Sequence, residues 1–381
     1  MRFLPSKQSK KTILVISDLH LAGGVYLDQK RNPFESFKSD KELVDFFNYF
    51  STGKYSSKEV EIIINGDFLD FLAVPNVDFF DDEYWSEEAS IEKLKIILSA
   101  HTEVFESISL FLENKNKKIV YQLGNHDSEL LFPKVRFYFL NQLSIKAQAG
   151  FIFHINPSNT YIPEKGVYIK HGHEYEIAHV YDTEASIAKN EEGRLFFLPS
   201  WGSYYVVKLI NKFKQERNYI DSVHPIKNFL INGLIYDTLL TLRFMLANVY
   251  YFIMVRVILY FKKVKNYKDL LSNLKNELSL FQDYEDLTFE YMQEVDDLDI
   301  LVVGHTHKAT IMNYENGKTF VNTGTWVKMN FLDFGRSTGL NLTFAQIELF
   351  KNKDGEQKEV YLNRWKGNTQ EPYYEYDSTS R

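Results

Sequence analysis

Five short apolar runs rich in β-branched residues punctuate this chain: Thr12–Ile16, Glu61–Ile64, Lys118–Leu123, Gly166–Lys170 and Asp299–Val303. Runs of four to six such residues, too short for helices, read as buried strands. Between the first three, Asp40–Phe50 and Glu87–Glu113 carry apolar residues at helical spacing, among them Ile91, Leu94, Ile97 and Leu98. Thr319–Val327 and Leu340–Leu349 read as further strands, and the polar stretch from Lys366 to Arg381 as a loosely ordered tail. Strand, polar turn, helix, strand is the order of an α/β domain that gathers functional groups at the carboxyl ends of its strands.

The block 181–294 departs from that order and reads as mostly helical. In Ile226–Phe261 the polar residues Asn228, Asn232, Asp237, Arg243, Asn248 and Arg256 scatter around the helical wheel. A helix apolar nearly all round must be covered by other helices, a second subunit or lipid. Its longest uncharged stretch, Phe244–Val255, is too short for a membrane span, which needs about 20 apolar residues.

Each of the first five runs leads into a polar motif: Asp18-Leu19-His20, Gly66-Asp67-Phe68-Leu69-Asp70, Gly124-Asn125-His126-Asp127, His171-Gly172-His173 and Gly304-His305-Thr306-His307. Carboxylates, imidazoles and one amide are the donor types that hold divalent metals. In Asp18-x-His20 the spacing of two puts both side chains on one side of an extended segment. Gly66 lets the backbone pass close to an ion, and the two oxygens of Asp67 can bridge two cations. The motifs divide into four ligands for one ion (Asp18, His20, Asp67, His307) and four for the other (Asp67, Asn125, His171, His305). Spacing does not choose between His171 and His173. Asp127 reads as structural, His101 as an exposed helical residue and His154 as a satisfied strand residue; Arg136 and Arg194 are weighed as phosphate contacts.

This ordered set resembles the calcineurin-like metallophosphoesterase superfamily, over roughly 12–180 and 295–350. The resemblance implies an α/β fold, a β-sandwich flanked by helices in four layers (α/β/β/α), here with a helical insertion. Residues 12–180 and 295–365 would form a discontinuous catalytic core and 181–294 a cap or lid. It implies the same division of ligands, with His126 contacting the scissile phosphate and assisting the leaving group while Asp70 orients it. Two divalent ions, Mn first and Fe or Zn next, would supply the hydroxide that attacks phosphorus. Within the superfamily, the H-G-H motif and Asn322-Thr-Gly-Thr-Trp326 are similar to UDP-2,3-diacylglucosamine pyrophosphatases, which cleave a lipid-linked pyrophosphate. Those proteins carry Arg in place of His126 and lack so long an insertion.

Charge sharpens the substrate question. Residues 201–270 hold eleven Lys or Arg against four acids, a local +7 in a chain whose total is −7. With Lys262, Lys263, Lys265 and Lys268 at its end, the insertion is expected to meet a membrane surface through 205–268, with a self-packed cap and a homodimer interface as the other readings. The acidic remainder, −14, argues against nucleic acid as the partner. The expected substrate is therefore a phosphorylated, lipid-linked or amphiphilic molecule. A soluble nucleotide phosphodiesterase or nuclease is the alternative, and a scaffold on a degenerate phosphoesterase fold the non-enzyme one. The chain has no cysteine, which excludes thiolate ligands and disulfides. Met1–Lys11 has basic residues but no apolar segment, so it is not read as a secretory signal, and the expected location is cytoplasmic, peripheral to the inner membrane where the insertion meets lipid.

Overall fold

The computed structural model describes residues 9–27, 29–79, 81–176, 178–224, 226–263, 284–331, 339–352 and 355–373. Two sheets stack face to face. The first has seven strands in the order Gln370–Pro372, Gly355–Trp365, Thr343–Asn352, Lys11–Ile16, Glu59–Asn65, Lys117–Gln122 and Phe151–His154. The second has five, in the order Thr310–Asn313, Thr319–Asn322, Ile300–Val303, Val167–Lys170 and Thr160–Glu164. All five motif-bearing strands lie in the middle of these sheets with parallel neighbours, so their carboxyl ends share one rim.

Burial on both faces explains the unbroken apolar runs. In Lys11–Ile16, Leu14 and Ile16 pack towards the helices while Ile13 and Val15 pack between the sheets. Ile62 and Ile64 divide from Ile63 in the same way. In the second sheet Ile300 and Val302 face the sandwich, whereas Leu301 and Val303 face an outer cluster with Met292 of the helix Tyr284–Glu294. The helices Asp40–Ser51 and Thr102–Glu113 cover the other side through Phe46, Phe47, Phe50, Ile108 and Phe111. The result is the expected helix, sheet, sheet, helix stack.

Several expectations need correction. Glu87–Glu113 is two helices, Glu87–Ala100 and Thr102–Glu113, broken at His101. His101 is buried rather than exposed, its Nδ1 against Asp40 and its Nε2 3.5 Å from Glu35. The tail also begins later than expected, because Gln370–Pro372 pairs with Asn363–Trp365. Gly355–Trp365 itself went unread, its polar first half with Glu356, Lys358 and Glu359 hiding a strand near the sheet edge. Thr319–Val327 is strand only to Asn322.

The block 181–294 is not wholly helical. It opens with the hairpin Ile187–Lys189 and Leu195–Phe197, continues through a helical stretch from Trp201 to Lys214, and then forms the helices Ile226–Tyr236 and Thr238–Lys263. Asn211 donates to Leu72 O and Lys214 to Phe34 O, tying the inserted block to the core. Lys265 and Lys268 lie outside the described residues, as do 374–381.

His101 yields a test of the core. Burial pulls its pKa down, but Asp40 and Glu35 outweigh burial and lift it to about 9. The unfolded chain titrates near the ordinary value of about 6.5, so the contribution is full below that pH and is lost as pH rises through about 9. From pH 6 to 9.5 the unfolding free energy of the wild type should fall by about 3 kcal/mol more than that of His101→Gln.

Candidate metal centre

At the shared rim the backbone adopts an unusual conformation. Asp18, His20, Asp67, His305 and His307 all have positive φ, between 52° and 69°. Each costs on the order of 1 kcal/mol or more for a residue other than glycine, and such strain clusters where side chains are held for a purpose. Cross-loop hydrogen bonds hold it: His20 N to Asp67 O at 2.9 Å, Leu21 N to Phe68 O at 2.9 Å, Phe71 N to His126 O at 3.0 Å and Gly304 N to His171 O at 2.8 Å. Thr325 Oγ1 donates to Asp18 O at 2.5 Å, and Asn322 Nδ2 donates to Gly304 O at 2.9 Å. The Asn322–Trp326 segment is therefore a buttress beneath two of the motifs.

Three glycines are required by contact. A Cβ at Gly66 would fall on the His171 ring, one at Gly124 on the Asp67 carboxylate, and one at Gly304 on Asp18 and Ser17. Asp127 is buried and accepts from Gly124 N at 2.6 Å, Phe68 N at 3.1 Å and Tyr121 Oη at 2.7 Å, so it joins the second and third motif loops.

The side chains converge on Asp67. Its Oδ2 lies 3.4 Å from His171 Nε2 and 3.9 Å from His20 Nε2, while its Oδ1 accepts from His126 N at 2.8 Å. On one side His20 Nε2 stands 3.1 Å from His307 Nε2, which is 3.4 Å from Asp18 Oδ1. On the other, Asp67, His171 and His305 form a second compact group. Atoms bonded to one cation at about 2.1 Å stand roughly 3.0–3.5 Å apart in octahedral or tetrahedral arrangements; the His20–His307, His307–Asp18 and His171–Asp67 separations match this, and His20–Asp67 is longer at 3.9 Å. Asn125 Oδ1 and His171 Nε2 are buried without a hydrogen-bond partner, as donor atoms kept for an ion would be. The residues present fit a divalent metal centre.

His171 and His173 differ in surroundings. His171 Nδ1 donates to Asn65 O at 2.7 Å, which leaves Nε2 towards Asp67. His173 stacks on Tyr181, ring centroids 4.9 Å apart and nearly parallel, and belongs to none of the ligand groups. Burial depresses its pKa to about 3, so it is neutral.

Asp70 bridges two imidazoles, accepting from His126 Nδ1 at 2.9 Å and His20 Nδ1 at 3.2 Å. Burial opposes its ionisation, yet His126 and His20 hold it well below the usual carboxylate range. Burial likewise pulls His126 down, but Asp70 and Asp67 lift it to about 9.

Two arginines weighed as phosphate contacts are engaged elsewhere. Arg136 donates to Leu130 O and Leu131 O, and Arg194 pairs with Glu83 and Glu88. Sequence reading missed Glu176 and could name no partner for His179, at the border of the insertion. Glu176 Oε2 lies 3.1 Å from His305 Nε2 and 3.6 Å from His179 Nε2, and His179 Nδ1 is 3.4 Å from Asn125 Nδ2. No motif marks them; their only signal was position, a few residues beyond His171-Gly172-His173.

The calcineurin-like phosphoesterase family profile matches residues 11–309, and the chain belongs to that family. It is a metal-dependent phosphohydrolase with a divalent metal centre. Comparison with curated proteins gave no match. Among solved structures, a dimetal phosphatase from Danio rerio is 11% identical over 94% of this chain and 100% of that chain, with a TM-score of 0.37. Vps29 from Cryptosporidium parvum is 15% identical over 96% of this chain and 97% of that chain, TM-score 0.30. Zinc-complexed Vps29 from Entamoeba histolytica is 22% identical over 23% of this chain, TM-score 0.18, and there the match spans only 44% of that chain.

Gly66→Ala should remove the seat of His171, since Gly66 combines a φ of 79° with contact against that ring. Metal analysis of the purified variant should find clearly less bound divalent metal per chain than in the wild type, with a lowered melting temperature.

Proposed function

We propose that this protein is a two-metal phosphohydrolase acting on an amphiphilic, lipid-linked phosphoester or pyrophosphate at a membrane surface. The two-metal part is carried by one observation: Asp67 groups with His171 and His305 on one side and with His20 on the other, and His20 in turn groups with Asp18 and His307. One ion would be held by Asp18, His20, Asp67 and His307, the other by Asp67, Asn125, His171 and His305. The mixed oxygen and imidazole set suits Mn first, then Fe or Zn. When bound, such a pair polarises the phosphoryl oxygens and eases deprotonation of an attacking water.

The remaining chemistry belongs to the chain. Asp70 fixes one nitrogen of His126 and raises its proton affinity, so at neutral pH the free nitrogen carries a proton to give to the leaving oxygen. Asp70 also holds His20, so one carboxylate orients a ligand and the acid together. Ser203 Oγ donates to Asn125 O and Tyr181 Oη to Gly124 O, so residues of the inserted block form part of the wall beside this loop.

Support for the amphiphilic substrate comes from the inserted helices. Ile231, Ile235, Tyr236, Leu239, Leu242, Leu246, Val249, Tyr250 and Ile253 are exposed on Ile226–Tyr236 and Thr238–Lys263, next to the chain's basic segment. An apolar face with basic residues is the make-up of an interfacial helix. No helix among the described residues is long and apolar enough to cross a membrane. The same motifs and face are compatible with the UDP-diacylglucosamine pyrophosphatase group as the source of the substrate type.

Three outcomes test this reading. Asp67→Ala should lose both equivalents of bound Mn²⁺ and essentially all hydrolysis, and retention of full metal and activity would refute the site. His126→Ala should slow substrates with alkoxide leaving groups by about 10²–10⁴-fold while slowing nitrophenyl esters far less, because only the poor leaving group needs the proton. For the membrane contact, Leu239→Asp/Leu246→Asp should leave hydrolysis of a soluble chromogenic diester unchanged. It should also abolish sedimentation with vesicles of mixed zwitterionic and anionic lipid; equal binding by both proteins would remove the lipid reading.

A further inference from the structure

The histidines of the centre follow a common rule. His171 gives Nδ1 to Asn65 O and keeps Nε2 for Asp67. His20 gives Nδ1 to Asp70 and keeps Nε2 for the cluster of His307 and Asp67. A metal-binding imidazole works this way, because the acceptor on one nitrogen fixes the tautomer and ring angle and raises the donor strength of the other. His305 has one side-chain acceptor of this kind, Glu176, whose Oε2 is 3.1 Å from Nε2.

We propose that Glu176 is the positioning carboxylate of His305. It holds His305 Nε2–H, leaves Nδ1 for the cation shared with Asp67 and His171, and so makes the affinity of that one cation depend on the turn that follows the fourth motif. This rests on the two-metal reading above and adds a residue to it.

Placement supports the assignment. The backbone of His305 is pinned separately, its N–H donating to Asp18 Oδ2 at 2.9 Å, so the ring angle is the remaining freedom. The rings of His179 and Tyr284 bound that freedom, with centroids 5.0 and 6.3 Å from His305. Glu176 is anchored just after a 3-10 turn, His173–Tyr175, where its own N–H donates to His173 O at 3.1 Å. Gly172, with a φ of 113°, permits that turn, and a Cβ there would strike Tyr284 Oη. The carboxylate therefore reaches His305 from a fixed backbone, whereas its side chain is 41% exposed and contributes little to the core.

The experiment is Mn²⁺ titration by calorimetry of the full chain after chelator dialysis, comparing wild type, Glu176→Ala, Glu176→Gln and Asp67→Ala. Circular dichroism and melting curves check the fold. Glu176→Ala should weaken one equivalent by 10–100-fold and leave the other within twofold. Glu176→Gln, which still accepts from Nε2–H but lacks the charge, should fall between. Two wild-type equivalents in Glu176→Ala would overturn the positioning role while leaving the metal centre intact. Loss of both equivalents in a folded Glu176→Ala would also overturn it, since the effect would not be confined to one ion. If the wild type binds fewer than two equivalents, or Asp67→Ala binds as the wild type does, the two-metal reading falls and this inference with it.

Discussion

Asp18, Asp67 and Asp70 are almost wholly buried within one cluster of loops, and carboxylates so placed can stay ionised only if cationic partners replace the lost water. Without such partners the desolvation cost would dominate; with them the pKa of Asp67 is driven well below the ordinary value, His171 being the strongest of the forces opposing burial. The imidazoles are thus electrostatic counterparts to the acids before they are ligands to anything. That requirement fixes the rest of the rim. Five residues are kept in left-handed backbone, three glycines give up their side chains, and Asp127 is spent on joining two loops.

What the sequence disclosed follows the same division. Strands buried on both faces leave unbroken apolar runs, so Lys11–Ile16, Glu59–Asn65 and Ile300–Val303 were legible to within a residue or two. The motif residues were legible because each follows such a run. Gly355–Trp365 was not, since it lies next to the edge strand and carries charges through its first half. Nor was His101, whose burial depends on Asp40, distant in sequence, and on Glu35. The positive φ values of non-glycine residues leave no compositional trace, and they are where tertiary hydrogen bonds override local preference.

Glu176 and His179 show a different kind of blindness. A ligand motif is visible when the chain delivers it from a strand end, but a residue that acts on a ligand needs only to arrive nearby. Glu176 arrives from the turn after the fourth motif and meets His305 of the fifth, across 129 positions of sequence. Separation of this kind defeats pattern reading, because neither the Glu nor its spacing is unusual in itself.

The inserted block then cannot be treated as an appendage to a finished site. The turn leading into it sets Glu176 against His305, the N-terminal end of Trp201–Tyr205 packs on the Asn125 loop and His179, and Asn211 and Lys214 fasten it to Leu72 and Phe34. Its far helices bury one face, through Leu240, Phe244 and Tyr251, and expose the other. A self-packed cap would have no reason to present Leu239, Leu246 and Val249 to water, since leaving such side chains exposed forgoes about 1.5–3 kcal/mol apiece. On the membrane reading proposed above, the exposed face is one half of a contact completed from outside. Because the same block walls the metal centre, whatever completes that contact stands where it can bias access to the metals, and substrate choice and surface contact become one problem.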